Sequence, residues 1–343
     1  MASATNRSRK RIKLSNNSLE QESVPVENTA NKILSRSPCL PNIDVEAKWP
    51  PNGITVAGGN GPGEAINQLH YPWDLDVDDD QAIYVAEYSN HRIMKWACGA
   101  VQGEVVAGGN RQGNRNNQLN GPANVIVDKY NDAIFICDQG NRRIVRWPLH
   151  NGKQGETIMS DIYCWGLAMD HDGYLYASDY KTHEVKRWYS GETLATVIAG
   201  GNGKGNRLDQ FNFPAHLFVD LDHSLYVSDI GNHRLMKWTQ GAKEGIVIAG
   251  NGSGGTNLTQ LSYPAGIAVD SSGTVYVIDS HNHRIMCWSQ GAKEGSVVIG
   301  DYGQGAETNQ LNGPVGLSFD RQGHIYVADN LNHRIQKFHI EST

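Results

Sequence analysis

Trp96, Trp147, Trp188, Trp238, Trp288 and Phe338 close six copies of one phrase at intervals of 51, 41, 50, 50 and 50 residues. Self-similarity at such a period marks stacked supersecondary units, each too small to bury its own apolar face. The stretch SDIGNHRLMKW (228–238) returns as IDSHNHRIMCW (278–288) and ADNLNHRIQKF (328–338). A catalytic cluster is needed once, whereas a structural unit is needed in every repeat.

Each unit reads as four strands. Strand one follows a proline, as in PAGIAVD (264–270) or PANVIVD (122–128), and strand two follows a short Asp/Gly turn, as in TVYVID or HIYVAD. The Asn-His-Arg phrase turns the chain into strand three, and a Gly-containing turn leads to strand four, as in EGIVIAG (244–250). Alternating or continuous apolar residues, rich in Val, Ile and Tyr, are strand chemistry with two buried faces. Six such sheets protect one another when stacked around an axis, which predicts an all-β, six-bladed β-propeller of four-stranded antiparallel blades. GITVAG (53–58) is a fourth strand with no unit before it, and the last unit stops after its third strand. The leading strand is therefore expected to complete the last blade and remove an open sheet edge.

Asn90-His91-Arg92, Asn232-His233-Arg234, Asn282-His283-Arg284 and Asn332-His333-Arg334 resemble the NHL repeat, over residues 52–340. The resemblance implies the six-bladed propeller. It says less about function, because this architecture hosts binding modules and enzymes alike. Proteins similar to this family include the substrate-recognition ends of tripartite-motif ubiquitin ligases, RNA-binding propellers, amidating lyases with axial zinc, and calcium-dependent lactonases.

Residues 1–45 are polar, with 7 Lys/Arg against 4 Asp/Glu, and are expected to be a disordered tail before a propeller at 46–343. Arg7, Arg9, Lys10, Arg11 and Lys13 suit either a nuclear-import signal or a solvated tail. The remaining residues hold 23 Lys/Arg against 32 Asp/Glu, too acidic a balance to favour a nucleic-acid backbone. No run approaches the roughly 18 apolar residues of a membrane span, and the basic start lacks the apolar stretch of a secretory signal. Cys39, Cys98, Cys137, Cys164 and Cys287 show neither zinc spacing nor a disulfide framework, so they read as small apolar fillers in a reducing interior. An intracellular, cytoplasmic protein is expected, with a nuclear destination left open by the basic cluster.

The acid of each phrase is Glu87, Asp138, Asp179, Asp229, Asp279 or Asp329, and Arg92, Arg143, Arg234, Arg284 or Arg334 follows five residues later. With Asn232 and its equivalents, this is read as a structural blade corner. The acid is expected to cap the turn's amides and the arginine to bind it bidentately. One histidine per blade does not converge as a metal requires. The glycine-rich AGGN connections precede no helix and read as inter-blade turns, and DVDDD and DHDG read as β-turns.

Function is sought where the repeats disagree. Two residues after each first-strand proline stand Asp74, Asn124, Gly166, His216, Gly266 and Gly316. This ring is expected at the mouth of the propeller, with Asp74, Asn124 and His216 as weak metal candidates. In blade three the connection into strand one is shortened, Cys164 replaces the proline, and the corner reads Thr182-His183-Glu184. A notch is expected there, beside Trp73, Tyr163 and Trp165, aromatics suited to anchoring a partner. The leading expectation is a monomeric, non-enzymatic scaffold without a cofactor, binding a protein through the strand-one entry face. Resemblance adds a substrate adaptor in the ubiquitin pathway. The alternatives are a lyase- or lactonase-type enzyme with a metal at the mouth, or an RNA-binding module.

Overall fold

The computed structural model describes residues 1, 40–44, 47–189, 192 and 194–341. Residues 36–343 form one compact unit, which the description below concerns. The basic cluster at 7–13, Cys39 and most of the expected tail lie outside the described residues.

Among these residues the strands form six four-stranded antiparallel sheets, with element order and pairing repeating from blade to blade. Blade one runs through Pro72–Val77, Ile83–Glu87, Arg92–Trp96 and Glu104–Gly108. Its counterparts begin with Pro122–Asp128, Cys164–Met169, Pro214–Val219, Pro264–Val269 and Pro314–Phe319. The sixth blade is closed as expected: Ile54–Gly58 pairs antiparallel with Arg334–Phe338, with Ile54 opposite Lys337 and Gly58 opposite Arg334.

The core consists of six seams, each between neighbouring blades. Strand two of each blade is buried on both faces, which explains the unbroken apolar runs such as VYVID. The closing aromatic of each blade packs into the seam behind it, Trp147 against blade one and Trp238 against blade three. Phe338 is the one closing residue that is not Trp, and its seam also receives Ile43 and Trp49 from ahead of the first strand. Trp49 donates its indole N–H to the Gly323 carbonyl at 3.1 Å and packs edge-on to Tyr276. Pro41 accepts from the Ser271 amide at 3.0 Å, and Lys48 from the Glu341 amide at 2.8 Å. Pro41 and Ile43, ahead of the boundary expected at residue 46, are thus buried with Trp49 against the seam closed by Phe338.

The cysteines also differ from expectation. Cys137 in strand two of blade two and Cys164 at the start of blade three form a disulfide, with Cα atoms 5.8 Å apart. Cys164 takes the place of the first-strand proline, and its partner stands directly across the blade seam. A spacing of 27 residues carries no hint of this, since neighbouring blades create the contact. Cys98 and Cys287 are free thiols.

Candidate functional site

The corner motif organises the entry face, through contacts other than those its sequence suggests. In blade four, Asp229 is fully buried and accepts the Asn212 amide at 2.7 Å, the Asn232 side-chain amide at 2.7 Å and Arg234 Nε at 2.8 Å. The other guanidinium nitrogens of Arg234 donate to the carbonyls of Asn206, Arg207 and Gln210. The contact is therefore one Nε bond and not a bidentate pair, and Asp229 makes no side-chain cap. The same holds for Asp279 with Arg284 and Asp329 with Arg334, while Asn282 and Asn332 bond their acids at 2.8 Å. The motif staples the long glycine-rich connection to the corner. Blade three confirms the logic: it lacks that connection, and with it the Asn and the Arg. There Asp179 does cap amides, those of Lys181 and Thr182.

The corner histidines adopt left-handed backbone conformations, with φ of 51–61° at His91, His183, His233, His283 and His333. Each Nδ1 accepts an amide from the entry loop of the next blade: Gly121, Phe213, Tyr263, Gly313 and Tyr71, at 2.9–3.3 Å. Desolvation holds His91, His183, His283 and His333 below the usual imidazole range, in keeping with the neutral acceptor this bond requires. These histidines are inter-blade latches.

At the centre, strand one of every blade carries a register irregularity just after its first residue, for instance between Pro72 and Asp74. Bulges re-aim side chains. Here they surround the ring expected at the mouth. Asp74, Asn124 and His216 are 7%, 4% and 3% exposed, so the ring is a packed plug and not an open cup. Glycine is needed at the other positions because the strands converge. A Cβ on Gly316 would stand 2.5 Å from Asp74 Oδ1, and one on Gly166 2.3 Å from the Ala215 carbonyl. Asn124 donates its amide to Asp74. Burial raises the Asp74 carboxyl well above the usual carboxylate range and lowers His216 to about 4, so the imidazole is neutral. Asn124 Oδ1 and His216 Nε2 are buried with no protein partner, as are the indole nitrogens of Trp73 and Trp165. The ring offers one carboxyl, one amide and one imidazole. Among the described residues, the cluster with three metal-type ligands lies elsewhere, at His171, Asp172 and His223.

Above the plug lies an aromatic cluster. Trp73 of blade one reaches across blade two to Trp165 of blade three, ring centres 5.4 Å apart. Blade two has the small Ala123 at the same position, after Pro122. Tyr88 packs on Trp73 at 4.8 Å, and Trp165 contacts Tyr180 and Phe213 edge-on. Tyr180 stacks on Phe213 at 4.9 Å and meets Tyr163 at 5.7 Å. Arg142 lies over Tyr163 and bonds its hydroxyl. The structure thus joins Trp73, Tyr163 and Trp165 through Tyr180. Sequence reasoning missed Tyr88, Tyr180 and Phe213, although Phe213 occupies a position where blades two and six have glycine.

The NHL repeat family model matches residues 69–96, 261–288 and 311–338. No curated protein matches the sequence. Among solved structures, the chain is similar to an auxiliary nutrient binding protein from Bacteroides thetaiotaomicron, at 15% identity and TM-score 0.67, covering 87% of this chain and 78% of that one. It is similar to another from Bacteroides ovatus, at 14% identity and TM-score 0.62, covering 88% and 76%. It also resembles a catalytically inactive virginiamycin B lyase from Staphylococcus aureus with quinupristin, at 12% identity and TM-score 0.54, covering 85% and 99%. Identities this low establish the fold alone. With three matched repeats and six blades in one register, the chain is an NHL-repeat six-bladed β-propeller protein.

Proposed function

We propose that this propeller is a non-enzymatic interaction module that binds a protein partner through its strand-one entry face. The observation that carries the reading is the aromatic cluster of Trp73, Tyr88, Tyr163, Trp165, Tyr180 and Phe213, gathered from three blades onto one face. Backbone conformation supports it. Tyr71, Phe213 and Tyr263 have φ of 53°, 67° and 56°, where Gly121 and Gly313 occupy the equivalent positions. A bulky residue held left-handed costs on the order of 1–3 kcal/mol, and such strain concentrates at functional positions. Phe213 and Tyr263 keep 37% and 45% of their surface exposed.

In this reading Trp73, Tyr163, Trp165 and Phe213 make contact, and Asp74, Asn124 and His216 form the floor that positions the two indoles. A complementary partner is a protein segment with an apolar or aromatic anchor. Desolvated aromatic anchors contribute about 2 kcal/mol or more each. An enzymatic reading has less support, since the mouth supplies a single imidazole.

The test is selection of displayed peptides on the full chain, with Trp73→Ala, Trp165→Ala, Phe213→Ala and Lys243→Ala as counter-targets. Selected peptides should lose at least tenfold in affinity for the first three proteins and keep it for the fourth, which alters the opposite face. Peptides that bind all three aromatic variants normally would sink the proposal.

A further inference from the structure

The opposite face carries a second departure from the repeat. The turn between strands one and two begins with Asp170 in blade three and Asp220 in blade four. The Asp170 amide donates to the Tyr174 carbonyl at 3.1 Å and the Asp220 amide to the Ser224 carbonyl at 3.0 Å, closing equivalent turns. Within these turns only blade three has the sequence His171-Asp172, and only blade four has a histidine, His223, in the left-handed position. Its φ is 56°, where Gly173, Gly273 and Gly323 stand in three other blades at 82–89° and Gln81 in blade one at 58°. The strained histidine is adjacent to the only blade with a histidine to meet it. The two rings lie 4.5 Å apart.

His223 stands between two carboxylates. Its Nδ1 is 3.3 Å from Asp170 Oδ2, and its Nε2 is 3.5 Å from Asp172 Oδ2. Asp170 is buried and also accepts the Tyr176 hydroxyl at 2.8 Å, so its position is fixed. The two ring nitrogens of His223 therefore face two different carboxylates, and Nε2 is the one turned to Asp172. From the other side His171 Nε2 comes within 3.8 Å of Asp172 Oδ1. Separations of 3.5 and 3.8 Å are long for N–H···O bonds. They end on the two different oxygens of Asp172 and exceed by a few tenths of an ångström the roughly 3.3 Å between neighbouring ligand atoms of a tetrahedral ion with bonds near 2.0–2.1 Å. One ligand atom from each of His171, Asp172 and His223 lies within 4.8 Å of the others.

We propose that blades three and four together hold a divalent transition-metal ion of the zinc class, coordinated by His171, Asp172 and His223. Two imidazoles and one carboxylate suit such an ion and not calcium or magnesium, which prefer an all-oxygen shell. Asp170 acts behind His223 as the carboxylate that orients a metal-bound imidazole. Three protein ligands leave one tetrahedral position open. The rival account is a plain polar bridge between blades, such as Gln81 makes to Gln322 at 2.9 Å in the turns of blades one and six. A bridge of that kind binds no ion.

The experiment uses the full chain carrying Cys98→Ser, which removes the exposed thiol, after chelator treatment. Zinc binding is measured by equilibrium dialysis, and cobalt is added as a spectroscopic substitute. The expected result is one ion per chain, with a cobalt absorption band typical of four- or five-coordination. His171→Ala and His223→Gln should each weaken binding at least tenfold and abolish the band. His233→Gln, on the entry face, should leave both unchanged. Gln at 223 can still hydrogen-bond across the seam, so its circular dichroism and melting temperature establish that loss of metal is not loss of fold. Absence of stoichiometric zinc, or equal binding by the two site variants, would overturn the proposal.

Discussion

Arg234 donates Nε to the buried Asp229 at 2.8 Å while its remaining nitrogens hold three carbonyls of the connection entering the same blade. One side chain thus joins a blade corner to a loop 24–28 residues earlier. Arg234→Ala leaves Asp229 buried without its cation, and removing one partner of such a pair typically costs about 3–5 kcal/mol. The Asp229 amide contacts survive, which favours the lower end. Lysine cannot reproduce the fork, so Arg234→Lys should recover less than half of the loss. Chemical denaturation of the three proteins measures this. An Arg234→Lys protein as stable as the parent would mean that charge alone matters.

The segment before the first strand should contribute measurable stability. A chain of residues 47–343 lacks Ile43 and Pro41, both buried in or beside the seam between blades five and six. It should be less stable than a chain of 40–343 by about 2 kcal/mol, the worth of burying one aliphatic side chain. A chain of 60–343 loses the closing strand itself, leaves an open edge on blade six, and should aggregate. Equal melting of all three would contradict this packing.

His216 should make stability fall with acid. Its imidazole titrates at about 4 when folded, because it is buried, against 6.5 when exposed. A depressed histidine contributes fully above pH 6.5, and the contribution is lost as pH drops from 6.5 toward 4. The difference amounts to about 3 kcal/mol. Asp76, pushed up to about 6 by burial, works in the opposite sense, since the folded state gains as pH falls from 6 toward 3.8. The two partly cancel in the parent. Comparison with His216→Asn isolates the histidine: stability of the parent relative to the variant should drop by about 3 kcal/mol between pH 6.5 and 4. A constant difference would mean that water reaches the ring.

Cys137 and Cys164 should appear as a linked peptide pair in a non-reducing digest. Breaking the bond opens a loop of 27 residues, and cross-links of that span stabilise by about 3 kcal/mol. Reductant should therefore lower the melting temperature of the parent and leave Cys137→Ala/Cys164→Ala unaffected. A parent indifferent to reductant would count against the bond.

The period of the closing aromatics determined the blade number, and the lone strand at 53–58 determined how the ring closes. Both follow from the sequence because every blade repeats the same short-range demands: a proline to start strand one, an acid and an arginine at the corner, an aromatic to fill the seam. Local repetition is readable without coordinates. The departures from it were readable as departures, and Asp74, Asn124, His216, Trp73 and Trp165 stand out by comparison of the six units. Their partners were not readable. Which residue of one blade faces which residue of the next depends on how strands twist and converge around an axis. Trp73 meets Trp165 across blade two, where the small Ala123 stands at the same position. Cys137 finds Cys164, and His171 finds His223, for the same reason: the contacts cross a seam. Ile43 and Trp49, set in a stretch without repeat character, enter the core at the one seam closed by Phe338. The sequence carries the blade, and the seams between blades belong to the tertiary structure.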